Sequence, residues 1–336
     1  MGALVCFGEI LLRLTAPKRG LLKNAGNFDA DVGGAEANVA VALASLGHCA
    51  RMVSRVPDNG LGQMALKALR ASGVDCSGVE TGTGRMGLYF VSAGAGSRAS
   101  EIVYDRTDSV FSSTEAASYD WDSLLIGATH LHLSGITPAL GPNAAVAAFT
   151  AATVARALGV TVVFDGNFRA KLWEASGADP RQVLLPLIQQ ADIFFGNHRD
   201  VAMLLEKPFD GQGAQRRREA ALAAFDAFPN LQLVASTARR IEDADRHWLA
   251  ARIDTRTGEA QTAEAPVFGI IDRIGGGDAF AAGVLHQAIS TPERLDEIAQ
   301  TGLALAALKH TIPGDACELT QADIDAWIAG ELDVRR

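Results

Sequence analysis

The order of apolar runs predicts an α/β fold, with a central, mostly parallel sheet covered by helices and a small β-sheet lid. Three observations predict it. Short apolar runs ending near glycine alternate with helical stretches along most of the chain. Two segments, about 11–32 and 85–111, break that alternation with β-like patterns. No internal repeat, low-complexity tract or long linker divides the 336 residues, so 1–336 reads as a single domain with those two segments as its lid.

The elements follow in order. LVCFGEI at 4–10 is a compact apolar run and predicts a buried strand. Residues 11–32 mix polar and apolar positions around Pro17, Gly20 and Gly26, which suggests short strands leaving the core. GGAEANVAVALASLG at 33–47 has helical spacing and stops at Gly47. CARMVSRV then predicts a strand, and LGQMALKALRASG a helix closed by Gly73. RMGLYFVSA and ASEIVYDR predict two lid strands joined by the Gly/Ser turn AGAGSR. HLHLSGI, VTVVFDGN, ADIFFGN and LQLVAST continue the main sheet, with an Ala-rich helix at 143–159 after the first of them. VFGIID at 267–272 predicts a buried strand running into a glycine turn, and helices are expected from 278 and around 303–310.

Composition removes several function classes. A formal net charge of −9 opposes a nucleic-acid surface, which needs clustered cations. The run Arg216-Arg217-Arg218 reads as a solvated helix face. None of the four cysteines forms a C-x-x-C pair; Cys6 and Cys49 lie in apolar runs and are expected to be buried thiols. His130 and His132 alternate on one strand without a visible third ligand, so they read as structural. No signal peptide or membrane span is evident, and a cytoplasmic protein is expected.

The segment DRIGGGDAFAAG at 272–283 carries the chemistry. Gly275, Gly276 and Gly277 allow close backbone approach, and the helix they open presents unpartnered N–H groups as an anion site. A carboxylate there, Asp278, is placed either to take a proton from an attacking hydroxyl or simply to cap the helix.

These residues resemble a signature of the ribokinase-like (PfkB) carbohydrate kinases, usually D-T-x-G-A-G-D-x-F-x-A-G. GGAEANVAVALASLG followed by RVPDNGLG resembles the family's other signature, and the two stand in the right order. The resemblance implies a ribokinase-like three-layer α/β/α fold and phosphorylation of a sugar hydroxyl by ATP with Mg2+; a monovalent cation is an optional addition. It makes Asp278 the catalytic base and Gly275–Gly277 the anion hole. It assigns Gly33, Gly34 and Asn38 to the sugar. It assigns Asn167, Asn197, Ser236, Thr237, Arg239, Asp272 and Arg273 to the nucleotide. GNHRD at 196–200 is similar to the family's N-x-x-E element, with the shorter Asp200 acting on the metal through a water.

GLYFVS, EIVYDRTDSVFS, LSGITPAL and FDGNFRAKLW resemble 2-keto-3-deoxygluconate kinases, whose acceptor carries a carboxylate. Arg106 and Arg169 occupy matching positions and suit a carboxylate because a guanidinium can donate two parallel bonds. Tyr89 and Tyr104 would line the acceptor from the lid. The implied reaction is transfer to the C6 hydroxyl. A neutral-sugar kinase, or a non-catalytic sensor on the same fold, are the competing readings. Two departures stand out. Arg273 and Ile274 replace the usual threonines, and LQLVAST leads into ARRIEDADRHW rather than a Gly-rich turn. The resemblance also implies a homodimer formed through the lid, and neither nucleic acid nor membrane as a partner.

Overall fold

The computed structural model describes residues 2–331 and 333. Its strands in chain order are β1 (Ala3–Phe7), β2 (Leu11–Thr15), β3 (Asp29–Gly33), β4 (Ala50–Pro57), β5 (Asp75–Gly82), β6 (Gly87–Ser92) and β7 (Glu101–Asp105). Then come β8 (Ala128–Ser134), β9 (Thr161–Asp165), β10 (Ile193–Phe195), β11 (Leu233–Asp243), β12 (Arg246–Thr255), β13 (Glu259–Gln261) and β14 (Ala265–Phe268). Ten of them form the main sheet, ordered β13-β12-β11-β10-β9-β8-β1-β4-β5 with β14 on β12. From β11 through β5 every pairing is parallel; β12, β13 and β14 add an antiparallel edge.

Both faces of this sheet are covered, which is why its strands read as nearly unbroken apolar runs. Along β1 the side chains alternate: Leu4 and Cys6 join one core cluster, Val5 and Phe7 the other. The second cluster includes the helix Pro142–Ala157, which buries Ala144, Ala147, Ala148, Ala151, Ala152 and Ala155 at helical spacing. Proline at its first turn removes a donor that would have no partner. The helix Gly60–Ala71 starts where the Asn59 side chain accepts from the Leu61 and Gly62 amides.

The lid is a four-stranded sheet, ordered β3-β2-β6-β7, drawn from the two expected segments. Its tip is tied to the main body. The Ala244 amide donates to the Gly96 carbonyl at 2.8 Å, and Arg19 reaches both the Asp245 carboxylate and the Ile270 carbonyl. The Gly96 amide donates to Asp245 at 2.8 Å as well.

Some expectations change. VFGIID does not form a buried strand into the glycines: β14 ends at Phe268, and both Phe268 and Ile271 are 51% exposed. An apolar run cannot reveal that β14 is an edge strand with one open face. LQLVAST continues through the unglycined stretch to Asp243 and turns into β12 as a long hairpin. Cys49 is exposed, because it lies in the turn before β4. In the basic run, Arg218 is pinned to Asp254 at 2.9 Å and to the Thr255 carbonyl at 2.7 Å. No described helix is long and apolar enough to cross a membrane.

Candidate active site

The helix Gly276–Ser290 opens at Gly275, which has φ 81°, in the left-handed region that glycine favours. A Cβ on Gly275 would collide with the Asp315 carbonyl, and one on Gly276 would meet His310 Cε1 at 2.9 Å. A Cβ on Gly277 would meet nothing. The first two glycines therefore admit the segment behind the turn, while Gly277 faces open space. The amides of this first turn have no intrahelical acceptor, so an anion is favoured there.

Asp278 stands in this first turn. Its Oδ2 accepts from Asn38 Nδ2 at 2.7 Å. Asn38 is itself 4% exposed in the helix Ala35–Ser45, so this pairing joins the two signature segments. Desolvation pushes the Asp278 carboxyl up to about 7, against the lowering pull of Asn38 and Arg169. A carboxyl poised near neutrality suits a general base.

Asp165 at the end of β9 is pushed up to about 8, by burial first and then by Asp278, with Asp200 adding to it. Its Oδ1 accepts from the Asn167 amide at 3.0 Å, and Asn167 has φ 38°. Asn197 and Asp200 form a capping box on the helix His198–Leu205: Asn197 Oδ1 accepts from the Arg199 amide at 2.8 Å, and Asp200 Oδ2 from the Asn197 amide at 2.8 Å. Among the described residues no cluster of three acidic, His or Cys side chains could alone hold a metal. Asp165, Asp200 and Asp278 instead form a field of carboxylates, two of which raise the third. That fits a divalent cation arriving with phosphate oxygens.

Ser236, Thr237 and Arg239 lie along β11 and line a cleft of about 270 Å³ with Asn197 and His198. Burial, then Arg273 and Arg169, pull Arg239 below its usual value. Three guanidiniums thus crowd one region. Both ring nitrogens of His247 and Nε2 of His310 are buried there without a partner.

The lid side is different. Arg106, 7% exposed, donates through Nε to Glu9 Oε2 at 2.7 Å, with Nη2 at 2.5 Å from the same oxygen. Ser109 also donates to Glu9. Tyr89 is buried and donates to Asp315; Tyr104, paired opposite it, is 38% exposed with the ring centroids 5.9 Å apart. Gly33 is required because a Cβ would strike the Asp315 carboxylate. Gly34, at φ 134°, faces the Glu9 carbonyl in the same way. Arg169 begins the helix Ala170–Ser176 and forms no ion pair among the described residues; its Nη1 donates only to the Phe168 carbonyl at 3.4 Å.

Asp272 lies behind the glycine turn rather than at its mouth. It pairs with Arg13 Nη2 at 2.6 Å and accepts from the Ile274 amide at 3.0 Å. Arg13, 2% exposed, also donates to Asp315 Oδ1 at 2.8 Å. Sequence reasoning missed Glu9, Arg13 and Asp315. Each had one signal, a charge inside or beside an apolar or glycine-bounded run, as in FGEILLRL.

A model described as pfkB family carbohydrate kinase matches residues 1–320. The 2-dehydro-3-deoxygalactonokinase of Haloferax volcanii is 31% identical over 329 residues, covering 97% of this chain and 96% of that one. The 2-dehydro-3-deoxygluconokinase of Bacillus subtilis is 30% identical over 317 residues, with 93% and 90% covered. Among solved structures, the 2-dehydro-3-deoxygluconokinase of Thermotoga maritima superposes with a TM-score of 0.92 at 33% identity, covering 98% of each chain. With this match over residues 1–320 and these relatives along nearly its whole length, the chain belongs to the pfkB family of carbohydrate kinases.

Proposed function

We propose that the protein transfers the γ-phosphoryl group of ATP to the C6 hydroxyl of a 2-keto-3-deoxy sugar acid, 2-keto-3-deoxygluconate being the first candidate. The observation that carries this reading is Asp278 in the first turn of its helix, with a carboxyl near neutrality, held by Asn38 and lowered by the charge of Arg169, which has no ion pair among the described residues. Relatives named for gluconate- and galactonate-derived acids both support a keto-acid acceptor.

In this mechanism the acceptor lies under the lid with its hydroxyl at Asp278, which takes the proton as the new P–O bond forms and the bond from the γ-phosphorus to the bridging oxygen breaks, releasing ADP. The amides of the glycine turn hold the transferred group. Phosphoryl transfer asks the protein chiefly for positioning and charge stabilisation. Arg239, Arg273, Ser236 and Thr237 hold the nucleotide phosphates from the β11 side, with Asn167 and Asn197 at the rim. Magnesium, when bound, supplies charge neutralisation at ATP oxygens, and Asp200 and Asp165 are the residues that would hold it. The acceptor carboxylate goes to Arg169. Arg106, already committed to Glu9, keeps a guanidinium edge toward the same acceptor, and Tyr89, Tyr104, Gly33 and Gly34 shape the remainder. The outer lid face, with Val103 46% and Phe28 37% exposed, is the surface through which a homodimer would form.

The test is an ADP-release assay over both keto-deoxy acid epimers, fructose and ribose. Turnover on a keto-deoxy acid well above that on the neutral sugars is expected. A preference for fructose or ribose would overturn the acceptor assignment, and no turnover on any of them would leave a sensor.

A further inference from the structure

Lys309 is the last residue of the helix Leu295–Lys309 and is 0% exposed. A fully buried ammonium is costly unless something nearby needs its charge. Its arm lies against the glycine turn: Cε comes within 3.2 Å of where a Cβ on Gly275 would be. Its Nζ donates to the Ile312 carbonyl at 3.3 Å, in the turn that follows the helix. That turn wraps the back of the catalytic loop. The His310 carbonyl accepts from the Ile271 amide at 2.9 Å, and the Asp315 carbonyl packs on Gly275.

The charges here need balancing. Asp272 and Asp315 are both buried directly behind amides meant to receive a phosphate. Arg13 bridges the pair, at 2.6 and 2.8 Å, and one guanidinium leaves one negative charge over. Asp31, half-buried at the lid edge, is pushed up by burial and by these same carboxylates. Uncompensated, this charge would repel the transferred group through a thin glycine turn. Lys309 forms no direct ion pair among the described residues. Burial pulls its ammonium below the usual value, and Asp272 and Asp315 oppose that pull. Its place at the negative end of a helix favours a cation too.

We propose that Lys309 is a positioning residue, a resident cation that neutralises the back of the anion hole and braces the glycine turn where a mobile monovalent cation would otherwise be needed. The protein should therefore turn over without potassium. Lys309 touches neither substrate nor nucleotide; it acts through Gly275 and Asp272. The inference rests on the kinase reading. It is assayed on whichever acceptor the wild type phosphorylates, so a wrong sugar assignment leaves it readable.

Two variants of the full chain test it. Lys309→Met fills the space without charge. It should keep or raise thermal stability and leave KM for the acceptor about unchanged, while kcat falls roughly tenfold to a hundredfold, less than for loss of a direct oxyanion donor. Lys309→Ala should lose kcat similarly and regain part of it with added potassium, ammonium or methylammonium, but not tetramethylammonium. Wild type should be indifferent to replacement of potassium by N-methylglucamine. Wild-type kcat in Lys309→Met would overturn the proposal. So would loss of stability in step with kcat in that variant, absence of rescue in Lys309→Ala, or a wild type that fails without potassium.

Discussion

The two walls of the cleft carry polar groups in opposite conditions. On the lid side they are spoken for: Arg106 by Glu9, Tyr89 by Asp315, and Arg13 by Asp272 and Asp315, all buried. On the side of β9 and β11 they are not. Arg169 has no ion pair among the described residues, Arg239 is crowded by like charge, and His247 is buried with both nitrogens unpartnered. Arg169 and Arg239 are exposed, so their guanidiniums stay open to solvent, whereas the lid-side groups are already paired inside the protein. Asp278 stands between them, tied to Asn38 on one side and lowered by Arg169 on the other.

The comparison can be broken most sharply at its centre. Asp278→Asn should reduce kcat roughly 10²–10⁴-fold with ATP affinity retained. The same variant should be more stable than wild type at pH 8. The carboxyl is raised to about 7 in the folded protein, so ionising it costs stability progressively as pH climbs from its unfolded value to that point. Removing the charge should return about 1–3 kcal/mol, read by thermal melting. Next in size, Arg106→Ala should strand Glu9 and cost about 3–5 kcal/mol of stability, read by denaturant unfolding. Loss of acceptor binding at unchanged stability would show the lid wall to be ligand-facing like the other. Arg169→Ala should behave in reverse, raising KM for a keto acid roughly tenfold to a hundredfold without lowering the melting temperature. An equal rise for a neutral sugar would remove the carboxylate assignment. The smallest effect is on pH dependence. Asn38 lowers the Asp278 carboxyl, so Asn38→Ala should move the acid limb of kcat/KM to higher pH than in the wild type.

Much of this architecture was legible in the chain. The alternation of apolar runs with helical stretches reflects a sheet buried on both faces, and the glycine turn before Asp278 is a local pattern that sequence preserves intact. Arg13 and Asp315 are different. They are 302 positions apart, and only the fold makes them neighbours. The same holds for Glu9, whose role depends on Arg106 returning from the lid. Asn38 is expected at the sugar from the resemblance alone, and its bond to Asp278 is visible only in the fold. Arg218 was read as solvated because helical periodicity cannot foresee Asp254 on β12. Gly275 and Gly33 also make room for the Asp315 segment, a demand visible only once that segment is folded against them.

The clasp between the lid tip and the turn joining β11 to β12 has a mechanical consequence. Gly96 and Arg19 grip Ala244 and Asp245, and that hairpin also carries Ser236, Thr237 and Arg239. Any swing of the lid must either release this grip or drag β11 and β12 with it. On the proposed assignment of these strands to the nucleotide, admission of the sugar and seating of ATP would be geared to one another within a single chain.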